Sequence, residues 1–114
     1  ITGAAAVRVF AKKEAFVVLA DISAEKMVGI SESIPMKCMI QETAVSKYEQ
    51  MQRLVVAVIK KYGCIDVWVN NEGIGPDQML KTADHRLQDW ERVIATNQSD
   101  AFYGMKVVLP VMLK

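Results

Sequence analysis

"AFVVLAD", residues 15–21, is an unbroken apolar run closed by an aspartate. A strand with one wet face alternates apolar and polar residues. An unbroken run suits a strand covered on both faces, as in a parallel sheet. Residues 4–14, just before it, are rich in helix formers, with apolar side chains at 6, 7, 9 and 10, and predict a short helix. Just after it, "SAEKMVGISES" (23–33) predicts a weak helix with Ser23 as N-cap. "MKCMI" (36–40) follows Pro35 and predicts a second buried strand. Ser46 and Glu49 have the S-x-x-E spacing of a capping box. Apolar residues then fall at 48, 51, 54, 55, 58, 59 and 62, a helical stripe closed by Gly63. "CIDVWVNN" (64–71) predicts a third strand, which leads into the polar turn "NEGIGPDQ". Helix is expected again over residues 84–96 and 99–114, with Pro110 kinking or ending the last one.

The expected order is α, β, α, β, α, β, α, α. Alternation of this kind calls for an α/β fold: a parallel sheet with helices on both faces. No repeat or linker divides the 114 residues, so one domain is expected. Just over half of the residues are apolar (52%), enough for a core. Charge is balanced at +1, and the lysine pairs at 12–13 and 60–61 are isolated at helix ends. Nucleic acid is therefore not expected as a partner. The longest apolar runs are too short to span a bilayer, so no membrane role is expected. The chain opens inside a motif, and no secretory leader is expected. With Cys38 and Cys64 read as buried free thiols, it is expected to be cytoplasmic. One histidine, His85, and two scattered cysteines do not make a metal site. His85 is read as a surface helix residue. The methionines at 27, 36, 39, 51 and 79 are read as core filler, and Trp68 and Trp90 as packing residues.

Ligands of open parallel sheets bind at the carboxyl ends of the strands. Here those ends carry Thr2-Gly3, Asp21 and Asn70-Asn71-Glu72-Gly73. A carboxylate placed like Asp21 accepts the ribose hydroxyls of an adenosine and repels a 2′-phosphate, which favours NAD over NADP. Alone, Asp21 reads as an acidic residue opening a turn; with the other two strand ends the functional reading gains.

The pieces "TGAA" (2–5), "FAKKEAFVVLADIS" (10–23), "YEQMQRLVVAVIKKYGCIDVWVNNEGIG" (48–75) and "DWERVIATNQSDAFYGMKVVLPVMLK" (89–114) carry a resemblance. In that order they resemble the N-terminal half of a short-chain dehydrogenase/reductase. The resemblance implies a Rossmann-type sheet, here a truncated and incomplete dinucleotide-binding domain. It implies NAD as cofactor and an alcohol or carbonyl as substrate. It also implies a Ser-Tyr-Lys-Asn group that moves hydride between the two. Thr2, Gly3, Asp21, Ile22, Val45, Asn70 and Gly73 fall at cofactor positions, and Asn97 in "IATNQSDAF" at the catalytic Asn. In the family that Asn breaks its helix locally and holds a water that relays protons to the Lys.

The departures are as informative. The family's loop reads T-G-x-x-x-G-x-G, whereas Val7 and Val9 stand at the second and third glycines. About six residues are missing relative to the usual glycine-rich turn, and Ala4-Ala5 cannot replace glycines that need φ > 0. Cofactor binding is therefore expected to be weakened or lost. Most of the strand before Thr2-Gly3 is absent from the sequence. In the strand order 3-2-1-4 it lies between those ending at Asp21 and at Asn70. A marginal or oligomeric chain is expected in consequence. The family's Asp-Val before the capped helix is Ala44-Val45, and its Asn-Asn-Ala-Gly is Asn-Asn-Glu-Gly. Glu72 either places a charge near the cofactor, costing roughly 1 to 3 kcal/mol at about 6 Å, or points to solvent. No Tyr-x-x-x-Lys exists: Tyr48 is followed by Gln52, Tyr62 by Asp66 and Tyr103 by Val107. Two functions stand side by side. One is an oxidoreductase of this family, inactive as these residues alone. The other is a non-catalytic, self-associating module built on residues 98–114. A third, a different doubly wound module with Asp21 as acidic site, is opposed by "VNNEG" and "IATN".

Overall fold

The computed structural model describes residues 2–36 and 38–114, without the side chain of Thr2. Ile1 and Lys37 lie outside the described residues, and with them the strand-like reading of Ile1 and part of the strand expected over 36–40. The chain forms α1 (Thr2–Lys12), β1 (Val18–Asp21), α2 (Ala24–Glu32), β2 (Met39–Glu42) and α3 (Tyr48–Tyr62). A 3-10 turn (Thr82–Asp84), α4 (Leu87–Ile94), a π-helical turn (Ala95–Ser99) and α5 (Asp100–Met112) complete it.

β1 and β2 pair in parallel, Val18 opposite Met39 through Asp21 opposite Glu42. Met39 N–H to Val17 O (3.1 Å) and Thr43 N–H to Asp21 O (2.9 Å) belong to the same run of bonds. The parallel α/β reading of the sequence holds, and both strands are four residues long. Chain that alternates strand and helix reverses direction through the helix, so α2 carries the crossover and packs on both strands. Its N-terminus is capped as expected: Ser23 Oγ accepts from Lys26 N–H at 3.4 Å.

The stripe on α3 buries Met51, Leu54, Val55 and Val58, and α3 packs against α5. Each such side chain contributes about 1.5–3 kcal/mol on leaving water. Gly63 ends α3 at φ 84°, the left-handed region that favours glycine, and its N–H bonds Ile59 O at 2.8 Å. The N-terminus of α3 differs from expectation. Lys47 is the N-cap residue and gives no side-chain bond, so Ser46 and Glu49 form no capping box. Gln50 Oε1 instead accepts from Ala44 N–H at 2.7 Å, tying the start of the helix to the end of β2.

The third expected strand does not form. Residues 64–81 carry no regular structure. They keep the two-residue alternation of a strand: Trp68 and Asn70 meet Gly104 of α5, while Val67 and Val69 are 60% and 55% exposed. What is missing is a ladder partner among the described residues. Without one, apolar periodicity alone does not make a strand.

Other expectations fall for related reasons. Trp90 is 63% exposed and does not pack α4 onto the sheet. Met79 stands in solvent, whereas Met27 and Met51 are buried. Cys64 is exposed and only Cys38 is partly buried, where lost hydration pushes its thiol pKa up; both are free. His85 follows the 3-10 turn rather than lying in a helix, with its ring Nε2 3.1 Å from Leu80 O. Helix α5 runs two residues past Pro110. Thr2 and Gly3 lie inside the first turn of α1, so they form helix rather than the turn expected ahead of it. No helix among the described residues is long and apolar enough to cross a membrane.

Candidate functional site

The carboxyl ends of β1 and β2 and the loop after residue 71 enclose a cavity of about 290 Å³. Ile22 forms its wall beyond β1, and Thr43, Ala44, Val45 and Ser46 its wall beyond β2. Glu72 and Ile74 close it from the loop, Arg92 and Thr96 from the α4 side. Parallel strands deliver their ends to one edge of the sheet, so three stretches distant in sequence meet there.

The β-strand side is rigidly held. Asp21 Oδ1 accepts from Ser23 N–H at 2.8 Å, which fixes the turn that carries Ile22. Thr43 is 1% exposed, and its Oγ1 donates to Gln41 O at 3.1 Å. With Ala44 N–H on Gln50 and Thr43 N–H on Asp21 O, the backbone of residues 43 and 44 is pinned.

The loop side is held from α4 and the π turn. Asn97 grips the backbone of Ile74 with both ends of its amide. Its Oδ1 accepts from Ile74 N–H (2.8 Å) and its Nδ2 donates to Ile74 O (2.7 Å). The π turn over Ala95–Ser99 widens the helix at that residue. Arg92 donates to Asp77 at 2.7 Å and to Gly75 O at 3.4 Å. Three residues of loop, 74, 75 and 77, are therefore fastened to one helical stretch.

Electrostatics concentrate at Glu72. Its carboxyl is half-buried and has the Asp21 carboxyl as a neighbour. Burial pushes its pKa above the usual carboxylate range. The neighbouring Asp21 carboxyl and the charge of Asp100 push the same way, and Lys26 opposes them. Glu72 thus faces neither open solvent nor a cation alone. Asp100, buried at the start of α5, is also pushed up by lost hydration, partly offset by Ala101 N–H on its Oδ1 at 2.6 Å.

The residues singled out in the sequence divide into two groups. Ile22 and Val45 line the cavity, and Asp21 stands next to it. Gly73 lies between the two loop residues that line it; a Cβ there would stand 3.9 Å from Asn97 Oδ1. Asn97 reaches the site through Ile74. The rest lie elsewhere. Asn70 Oδ1 accepts from Trp68 Nε1 at 2.8 Å and packs on Gly104. Gly3 faces Asn71, whose Nδ2 would lie 2.9 Å from a Cβ at position 3. The Thr2 side chain lies outside the described residues. Sequence reasoning missed Thr43, Ser46, Arg92 and Thr96. Thr43 and Ser46 flank Ala44-Val45 and were within reach of a strand-end argument. Arg92 and Thr96 had no signal beyond their helix. No group of three or more His, Cys, Asp or Glu is placed to hold a metal among the described residues.

A family profile described as short chain dehydrogenase matches residues 2–114. The 3-oxoacyl-(acyl-carrier-protein) reductase of Thermotoga maritima is 35% identical over 98% of this chain and 46% of its own length. Meso-2,3-butanediol dehydrogenase of Serratia marcescens is 32% identical over 98% of this chain and 44% of its own. Among solved structures, a short-chain dehydrogenase/reductase mutant of Serratia marcescens superposes with a TM-score of 0.88 at 23% identity. It covers 96% of this chain and 46% of that one. A Brucella melitensis short-chain dehydrogenase/reductase gives 0.85 at 25% identity, covering 92% and 45%. The chain spans a little under half the length of each of these relatives.

Proposed function

The chain belongs to the short-chain dehydrogenase family, and on that premise we propose that it forms the adenosine-binding part of an NAD-dependent oxidoreductase. The whole protein would exchange hydride between that cofactor and an alcohol or carbonyl. One observation carries the reading: a cavity at the strand ends, walled by Ile22 and Val45, with the Asp21 carboxyl beside it. Apolar walls suit an adenine ring, and a carboxylate suits the two ribose hydroxyls. The fit is good for the adenosine half and poorer for the diphosphate. Helix α1 starts at Thr2, and the Asn71 side chain lies against its first turn at Gly3. Backbone N–H groups at a helix N-terminus bind phosphate only where the phosphate can approach them.

When bound, the nicotinamide ring accepts or gives the hydride. This chain's residues would bind and orient. Asp21 would hold the ribose, and Asn97 would fix the loop at Ile74 and so set the depth of the cavity. None of the tyrosines at 48, 62 and 103 has a lysine four residues on, so proton transfer to substrate is not assigned to these residues. The 114 residues would thus form one incomplete dinucleotide-binding unit that binds without turnover.

Isothermal titration with NAD, AMP and nicotinamide mononucleotide tests this. AMP should keep most of the affinity of NAD, and the mononucleotide should show none. Equal binding by Asp21→Ala, or no binding by any adenosine ligand, would overturn the reading.

A second reading, a self-associating module, rests on a different observation. Phe102, Met105 and Leu109 of α5, and Leu113 just beyond it, stand exposed. A mass that rises with concentration while NAD leaves the melt unchanged would favour it.

A further inference from the structure

We propose that Arg92 is a positioning residue for the strand-end cavity. It acts through Asp77, clasping the loop after Gly73 onto α4, and so sets the affinity for the adenosine half of the cofactor without binding its phosphates. The proposal rests on the cofactor reading above. Arg92 and Thr96 stand four residues apart, the spacing of one helix face, and both line the cavity. Ile74 lines it from the loop. The Arg92 guanidinium joins the two sides: its Nη2 donates to Asp77 Oδ1 at 2.7 Å and to Gly75 O at 3.4 Å. Residues 74–77 have no ladder partner among the described residues. Their place follows instead from Asn97 on Ile74 and from Arg92 on Gly75 and Asp77. Asn97 fixes Ile74, and Arg92 keeps the chain that leaves Ile74 from swinging away.

The chemistry of the pair separates two roles for Arg92. A free guanidinium in the cavity would be a phosphate-binding group, its fork matching two oxygens. In this fold Asp77 neutralises the charge, and the same Nη2 is turned to the loop backbone. Asp77 itself is exposed and does not line the cavity. An ion pair of this exposure adds little to the stability of the whole fold. Its effect falls on a local equilibrium between loop closed and loop open. Ligand binds the closed form, so apparent affinity follows the closed fraction. Loss of an exposed ion pair shifts such an equilibrium by up to about fivefold.

The test sets neutral adenosine beside AMP, each followed by chemical-shift titration of the nitrogen-15-labelled chain. Arg92→Ala should weaken adenosine and AMP by the same factor, about three- to fivefold, because a clasp does not sense the phosphate. Asp77→Ala should weaken both alike, although Asp77 is off the cavity wall. A loss for AMP alone in Arg92→Ala, or tighter AMP binding in Asp77→Ala, would show Arg92 acting on phosphate and overturn the proposal. Unchanged adenosine affinity in both variants would also overturn it; in each of these cases the cofactor reading stands. Absence of binding of adenosine, AMP and NAD by the wild type, with a cooperative melt, would overturn both. A readout free of ligand is amide exchange at Ile74, whose N–H is held by Asn97. Exchange there should quicken in Arg92→Ala and in Asp77→Ala while the β1 and β2 amides stay as they are. Exchange at the wild-type rate in both variants would overturn the clasp.

Discussion

"VVLAD" (17–21) and "VWVNN" (67–71) are both apolar, strand-like stretches, yet only the first builds a strand. "VVLAD" finds β2 as its ladder partner, a helix crosses over the pair, and α3 is closed by a left-handed glycine. "VWVNN" finds only side-chain and helix contacts: Trp68 and Asn70 against Gly104, Asn71 against Gly3. Further along, the loop is held by Asn97 and Arg92 rather than by a ladder. The difference teaches that a buried-strand pattern is a conditional instruction. It specifies which faces must be covered, while the backbone groups still need a neighbour.

The contrast can be broken first at the core. Leu54→Ala is expected to cost about 2–5 kcal/mol in urea denaturation, because it opens a void under α3. Val69→Ala, in the unpaired stretch, should stay within about 0.5 kcal/mol. A cost for Val69→Ala close to that for Leu54→Ala would mean that residues 64–71 are paired after all.

Gly104→Ala is the next largest. The added methyl meets Asn70 Oδ1 and Trp68 Nε1, side chains hydrogen-bonded to each other, and should cost about 1–3 kcal/mol. A neutral result would show that Trp68 and Asn70 move aside freely, sharpening the contrast. Asn97→Ala removes both bonds to Ile74, each worth about 0.5–1.5 kcal/mol. Its clearest sign is loss of hydrogen-exchange protection at the Ile74 amide with β1 and β2 amides unchanged. Simultaneous loss in the strands would join the two regions into one cooperative unit. Smallest is Gly63→Ala, which forces a side chain into the left-handed region at φ 84°. It should cost about 1 kcal/mol in the same denaturation experiment; no change would mean that the end of α3 is already frayed.

Legibility in the sequence follows the same divide. Features decided within a few residues could be read: the α3 stripe, the glycine that ends it, Ser23 as a cap, the apolar run that became β1. Features decided by a distant partner could not. Glu49 has the right spacing for a capping box, but Gln50 holds Ala44 because β2 ends there. Trp90 stands exposed on α4, with no element among the described residues covering it. At the site, Ile22 and Val45 are marked by the family resemblance, and the structure puts both next to strand ends. The meeting of Glu72 with Asp21 joins residues far apart in the chain, and no local pattern announces it. The glutamate in Asn-Asn-Glu-Gly marked a departure without saying which way its carboxyl would turn.

The central claim is that the strand-end cavity takes the adenosine half of NAD, and thermal unfolding with and without millimolar NAD tests it most directly. At a hundredfold excess over Kd, a ligand that binds only the folded chain adds about 2.7 kcal/mol. The account predicts an upward shift of Tm in the wild type that Asp21→Ala abolishes. A cooperative melt that NAD does not move, or a shift of the same size in Asp21→Ala, would contradict it.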